Sequence, residues 1–162
     1  MKITNNYKFI VSDKCKDFFI YNDNIRKIAF DYNISTLIIS NDGGKYALEM
    51  FNQNKNISYL CLNRNIADIT KANFDLNKIQ NTIFTKKSQL KNVLFDFIYT
   101  DTDISVAFIK HLLTLLNIKG VLCIQNIDDI LLTQIISTLY EDYNYVIYTG
   151  NDIQCIGIEK YQ

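Results

Sequence analysis

Short apolar β-type runs alternate with amphipathic helical stretches along most of this chain, and that alternation limits the folds open to it. Runs at 36–40, 57–62, 82–85, 95–100 and 121–124 are rich in Ile, Leu, Phe and Tyr and have the length of strands. Between them the apolar residues change to helical spacing. Ala47, Leu48 and Phe51 follow the first run, and Ile66, Ile69 and Phe74 the second. Ile104, Ala107, Phe108, His111, Leu112 and Leu115 follow the fourth, and Ile130, Leu131, Ile135 and Leu139 the fifth. A strand, helix, strand repeat closes by right-handed crossovers onto a parallel sheet with helices on its faces. The last two runs, 145–148 and 154–158, have only a short turn between them. Thr149, Gly150, Asn151 and Asp152 have hairpin chemistry, so these strands are predicted to be antiparallel.

The residues between the runs set the boundaries. Asn41-Asp42-Gly43-Gly44 is a tight turn after the first strand, and Lys119-Gly120 turns the chain into the fifth. Asp103 stands where a helix N-cap is needed. Residues 1–34 read as a helical lead-in. Asp23 is its cap, Ile25, Ile28, Ala29 and Tyr32 form one face, and Asn33 closes it. Residues 35–162 then form one α/β domain, with no linker, repeat or low-complexity stretch inside it.

Charge and cysteine usage narrow the function. Lys plus Arg and Asp plus Glu are 17 each, so no overall field draws a polyanion, and nucleic acid is not the expected partner. No apolar run approaches the roughly 18 residues of a membrane span, and the N-terminus lacks a secretory signal's apolar stretch. The four cysteines are scattered, with no C-x-x-C pair, and Cys61, Cys123 and Cys155 lie inside apolar runs. They read as buried reduced thiols rather than disulfide partners or metal ligands, and the cytoplasm as the compartment. No G-x-x-x-x-G-K-[ST], G-x-S-x-G, H-E-x-x-H or G-x-G-x-x-G motif is present. His111, the single histidine, falls on an apolar helix face and reads as a packed structural residue. Asp101 follows the C-terminal end of the fourth strand, where open α/β sheets place ligands. It is either a site residue or a solvated loop acid.

One stretch carries a family resemblance. Phe95-Asp96-Phe97-Ile98-Tyr99-Thr100-Asp101 resembles the fourth-strand run of the class I S-adenosylmethionine-dependent methyltransferases. Asn117-Ile118-Lys119-Gly120-Val121-Leu122 is similar to that family's approach to strand five, and Gly157-Ile158-Glu159-Lys160 resembles its closing strand. The resemblance implies a single-domain Rossmann-like α/β fold: a mostly parallel seven-stranded sheet, a C-terminal antiparallel hairpin and helices on both faces. It also implies S-adenosylmethionine as cofactor, held by Ser40, Asn41, Asp42, Gly43, Gly44, Asn63 and Thr100. In that alignment Gly44 takes the place of the third glycine of the family's glycine turn, Asp42 the second and Ser40 the first. Asn63 replaces the acid that grips the ribose, and Lys86 or Lys87 falls near the adenine position. Asp101 faces the transferred methyl or orients the acceptor. Gln125 stands where the RNA 2'-O-methylating branch has a lysine, which turns the reading away from that branch.

Two functions follow. One is a methyltransferase acting on a small-molecule acceptor, with catalysis by positioning. The other is a methyltransferase-fold domain without catalysis, serving as a subunit or scaffold for a protein partner. In the first, Asn63→Asp is expected to strengthen cofactor binding, Asp42→Gly to relieve crowding, and Gly44→Val to abolish binding without disturbing the fold.

Overall fold

Two apolar layers sandwich one sheet, built by side chains that point to opposite faces along its central strands. The computed structural model describes residues 2–4, 7–9, 34–45, 56–125, 127–149 and 155–162. The helical lead-in over 23–33, the helix after Lys45 and the hairpin turn at 150–154 lie outside the described residues. Two short strands, β1 (Lys2–Thr4) and β2 (Tyr7–Phe9), pair antiparallel where only helical lead-in was expected. Lys2-Ile3-Thr4 and Tyr7-Lys8-Phe9 each alternate polar and apolar residues about Asn5-Asn6, a short period-two pattern.

The main sheet contains β3 (Thr36–Ile39), β4 (Ile57–Leu60), β5 (Ile83–Phe84), β6 (Phe95–Thr100), β7 (Leu116–Gln125), β8 (Tyr145–Thr149) and β9 (Cys155–Lys160). Their spatial order is β5-β4-β3-β6-β7-β9-β8. The pairs β5–β4, β4–β3, β3–β6 and β6–β7 are parallel, and β9 runs antiparallel to both β7 and β8. This is the seven-stranded, mostly parallel sheet with a terminal antiparallel hairpin that the resemblance implied.

One face of the sheet carries Ile38, Tyr59, Tyr99 and Cys123 against helix α1 (Arg64–Leu76) through Ala67 and Phe74. The other carries Leu37, Ile39, Leu60, Ile98, Leu122, Ile124 and Ile158 against α2 (Val106–Thr114) and α3 (Asp129–Leu139). Burying one such aliphatic side chain contributes about 1.5–3 kcal/mol, so either layer alone far outweighs any single polar contact below. Cys61 and Cys123 are buried thiols of the first layer that form no disulfide. The side chains of Cys15 and Cys155 lie outside the described residues.

Caps decide where the helices start. Asn63 Oδ1 accepts from the backbone N–H groups of Asn65 (3.0 Å) and Ile66 (3.4 Å) and opens α1. Asp128 Oδ1 accepts from the Leu131 N–H at 2.7 Å and opens α3. For α2 the cap is Ser105, whose Oγ accepts from the Phe108 N–H at 3.2 Å, and not the expected Asp103. Asp103 lies two residues too early to reach the first-turn donors. The buried face also differs from the expected one. Phe108, Ile109, Leu112 and Leu113 point inward, so His111 is exposed rather than packed, its ring stacked 6.2 Å from Phe108. In α3, Ile135 and Leu139 are buried as expected, while Ile130 is 72% exposed.

Asp96 and Gly120 lock the far edge of the sheet. Asp96 accepts from the Ser35 N–H at 3.0 Å and from Asn117 Nδ2 at 2.9 Å, tying the N-terminal ends of β3, β6 and β7 together. A Cβ on Gly120 would lie 2.8 Å from the Asn117 carbonyl oxygen and 3.2 Å from that of Asp96. The backbones approach too closely there for a side chain. Strand β7 starts at Leu116, earlier than expected, and absorbs the Lys119-Gly120 turn as an irregularity in its pairing with β6.

Candidate functional site: the cleft at the strand ends

In the sheet order, β3 lies next to β6, and the chain leaves these two strands in opposite directions. The crossovers from β3 onward lead to β4 and β5, and those from β6 onward lead to β7. Helices that diverge this way leave a crevice beyond the carboxyl ends of the two strands. A cleft of about 420 Å3 lies there, lined by Ile39, Asn41, Leu60, Leu62, Asn63, Thr102 and Asp103. Its apolar wall comes from the last residues of β3 and β4 and from Leu62, which is 48% exposed. Its polar rim is two amides, a hydroxyl and a carboxylate.

Of the residues singled out in the sequence, Asn41 and Asn63 line this cleft. Ser40, Asp42, Thr100 and Asp101 are instead buried behind it. The register pairs Ile39 with Thr100, so Ser40 and Asp101 come next in adjacent strands. Ser40 Oγ donates to Asp101 Oδ2 at 3.0 Å, and the Asp101 N–H donates to the Ile39 carbonyl at 3.3 Å. At 3% exposure Asp101 is not a solvated loop acid. Thr100 Oγ1 accepts from the Thr102 N–H at 3.4 Å and lies 3.2 Å from its hydroxyl, fixing the turn that brings Thr102 and Asp103 to the rim.

The turn at 41–44 is held from the inside. Asp42 is fully buried, and its carboxylate accepts from the Gly44 N–H at 2.9 Å and from the Tyr59 hydroxyl at 3.3 Å. The side chain points inward and joins the turn to β4. Asn73 Nδ2 of α1 donates to the Gly43 carbonyl at 2.8 Å. Gly43 and Gly44 both have positive φ, at 71° and 86°. A Cβ on Gly44 would lie 2.8 Å from Phe74 Cε1 and 3.1 Å from Thr70 Cγ2. Helix packing demands this glycine, so Gly44→Val cannot be the silent turn substitution the sequence suggested.

Lys86 and Lys87, expected near an adenine, do not line the cleft. Lys87 instead places its ammonium 4.0 Å above the Phe108 ring. Sequence reasoning passed over Leu62 and Thr102 and treated Asp103 as a cap. The usable signal was positional: each stands one to three residues beyond the carboxyl end of β4 or β6. Among the described residues no cluster of His, Cys, Asp or Glu is placed to hold a metal ion, and no helix is long and apolar enough to cross a membrane.

The lining suits a nucleoside-bearing cation. The volume lies within the range of small-molecule sites. Leu62 offers the exposed apolar surface a base requires, above the buried ends of β3 and β4 at Ile39 and Leu60. Asn63 has its amide oxygen engaged in the cap, which leaves Nδ2 as a donor for a ribose oxygen. Asp103 is exposed and is the one carboxylate of the lining, able to accept from hydroxyls or face a positive charge.

No family model matches the chain, and no curated protein matches it at the level of sequence. Solved structures do resemble it. The precorrin-6y C5,15-methyltransferase of Geobacter metallireducens superposes with a TM-score of 0.66 at 15% identity, over 94% of this chain and 95% of the other. A ribosomal protein L11 methylase of Lactobacillus delbrueckii subsp. bulgaricus gives 0.65 at 15% identity, over 88% and 81%. A Streptococcus mutans protein assigned as a methyltransferase and solved in complex with SAH gives 0.65 at 12%, over 88% and 99%.

Proposed function

We propose that this chain, whose fold is that of the class I methyltransferases, binds S-adenosylmethionine in the strand-end cleft and acts as a methyltransferase on a small-molecule acceptor. The observation that carries the reading is the position of the cleft. It opens at the one place in the sheet where the crossovers diverge, with apolar walls for a base and Asp103 at its rim. S-adenosylmethionine would supply an electrophilic methyl group there. The protein's task is then to hold donor and acceptor in line, which needs no general acid or base in the cleft. Asn63 and Asn41 hold the sugar side, Leu60 and Leu62 the base, and Asp103 lies toward the cationic end. Ser40 and Asp101 act from below by fixing the ends of β3 and β6 to each other.

Calorimetric titration with S-adenosylhomocysteine tests this. Saturable binding is expected, and Leu62→Trp, which fills the cleft from an exposed position, is expected to weaken it at least tenfold. Binding that Leu62→Trp leaves unchanged would place the ligand elsewhere.

A second reading has one observation in its favour. The Asp42 carboxylate accepts from the Gly44 N–H and the Tyr59 hydroxyl, and the Gly43 carbonyl from Asn73 of α1, rather than facing the cleft. A turn held that way serves a fold kept as a scaffold for a protein partner equally well. Under that reading the same titration gives no heat.

A further inference from the structure

Strand β8 closes one side of the main sheet and β5 the other, and the two edges are built differently. β5 has only Ile83–Phe84, with Lys86 and Lys87 close behind it. A short edge flanked by lysine resists pairing with another strand. β8 spans Tyr145–Thr149, and Tyr145-Val146-Ile147-Tyr148-Thr149 contains neither a charge nor a proline. Its outward backbone groups follow from the ladder. The Tyr161 N–H donates to the Asn144 carbonyl at 2.6 Å, and alternate residues of an antiparallel strand bond to the same neighbour. Asn144, Val146 and Tyr148 thus direct their N–H and C=O groups to β9, while Tyr145, Ile147 and Thr149 direct theirs away from the sheet. Among the described residues Ile147 and Thr149 have no second strand to pair with. Helix α3 brings apolar surface to the same side. Ile135 and Leu139 face the sheet, and Leu131 and Gln134 line a cleft of about 490 Å3 shared with the start of α2. That leaves Leu132, Ile136 and Tyr140, at i, i+4 and i+8, on the side away from α2, toward β8. Ile136 is 37% exposed, Tyr140 82%, Val146 38% and Tyr143, in the turn between α3 and β8, 96%.

We infer that β8 pairs antiparallel with β8 of a second copy of this chain, about a two-fold axis through Ile147, and so joins two sheets into one. The outward groups are self-complementary about that residue. Ile147 exchanges both bonds with the partner's Ile147, and the Thr149 N–H reaches the carbonyl of the partner's Tyr145, with the reverse bond by symmetry. The axis stands perpendicular to the sheet, so both α3 helices lie on one face and the Ile136 and Tyr140 stripe meets its own image across the junction. Pairing takes the exposed Val146 and this stripe out of water together. Charge selects the antiparallel arrangement. Glu141 and Asp142 stand at one end of β8 and come to opposite ends of the pair, whereas parallel pairing would set them side by side. The inference is independent of the cofactor reading, because β8 is the sheet edge and the first cleft lies at β3, β4 and β6.

Sedimentation equilibrium of the intact chain reads the stoichiometry, and amide hydrogen exchange reads the face. A dimer is expected in which the Ile147 and Thr149 amides are protected and exchange faster on dilution. Those of Val146 and Tyr148, bonded to β9, stay protected throughout. Val146→Lys puts a charge on the strand, opposite Glu159 of the chain's own β9, where the fold accommodates it. Tyr140→Lys changes an exposed side chain of the stripe. Each substitution enters a symmetric interface twice, and each is expected to weaken the dimer at least tenfold with the far-UV circular dichroism unchanged. A monomer at millimolar concentration would overturn the inference. Freely exchanging Ile147 and Thr149 amides in that monomer would leave the edge to a strand of another protein, and protected ones would mean that the chain covers its own edge. A dimer that neither substitution weakens, or in which those two amides exchange freely, has formed on another face and overturns it as well.

Discussion

Gly44 and Asp42 illustrate how much of this molecule's local chemistry serves packing before it serves a ligand. With φ at 86° and Phe74 and Thr70 against the missing side chain, Gly44 tolerates nothing larger. Gly44→Ala is expected to cost about 1–3 kcal/mol from backbone strain alone, more with the contact, and urea unfolding measures it. A loss below roughly 0.5 kcal/mol would contradict this placement. Asp42→Ala removes the acceptor of the Gly44 N–H and the Tyr59 hydroxyl, both in the interior, with an expected loss of about 1–3 kcal/mol. A stabilised Asp42→Gly variant would show that the side chain does crowd the turn. Asn63 separates two roles. Asn63→Ala is expected to lose about 1 kcal/mol with the cap of α1, whereas Asn63→Asp keeps the cap and adds a carboxylate beside the cleft. Stronger S-adenosylhomocysteine binding by Asn63→Asp at unchanged stability is the expected pair of results. Binding weaker than wild type would show that the amide donor matters more than charge.

At the level of the elements, what was legible in the sequence was periodicity, and what was not was phase. All seven strands of the main sheet and α1, α2 and α3 were visible as runs with the right repeat. The face of α2 was misplaced because Asp103 and Ser105 both have capping side chains, and only the path of the chain after β6 decides that Ser105 is used. The buried stripe runs through Phe108, Ile109, Leu112 and Leu113, about 100° round the helix from the expected one, which leaves His111 exposed. Ser105→Ala is accordingly expected to cost about 1 kcal/mol in thermal or urea unfolding, and Asp103→Ala to change stability by less than about 0.5 kcal/mol. The reverse order would restore the earlier cap. Of the candidate site, Asn41 and Asn63 were legible because they directly follow strands. Burial of Ser40, Asp42, Thr100 and Asp101 was not, since a polar residue at a strand end points into the protein or out of it according to sheet register.

Across the whole molecule the two ends of one sheet divide the labour. At the N-terminal edge Asp96, Asn117 and Gly120 hold three strands together. At the carboxyl edge the turns after β3, β4 and β6 surround a cleft, with a second beside it. That asymmetry follows from the crossovers and was legible once the strand order was known, although no single motif in the chain spells it out. The central claim is that the first cleft holds S-adenosylmethionine, and a crystal structure of the chain with S-adenosylhomocysteine at saturation tests it most directly. The adenine is expected against Leu60 and Leu62, the ribose beside Asn63 and Asn41, and the amino-acid end toward Asp103. An empty cleft in those crystals, or the ligand bound at another place on the molecule, would contradict it.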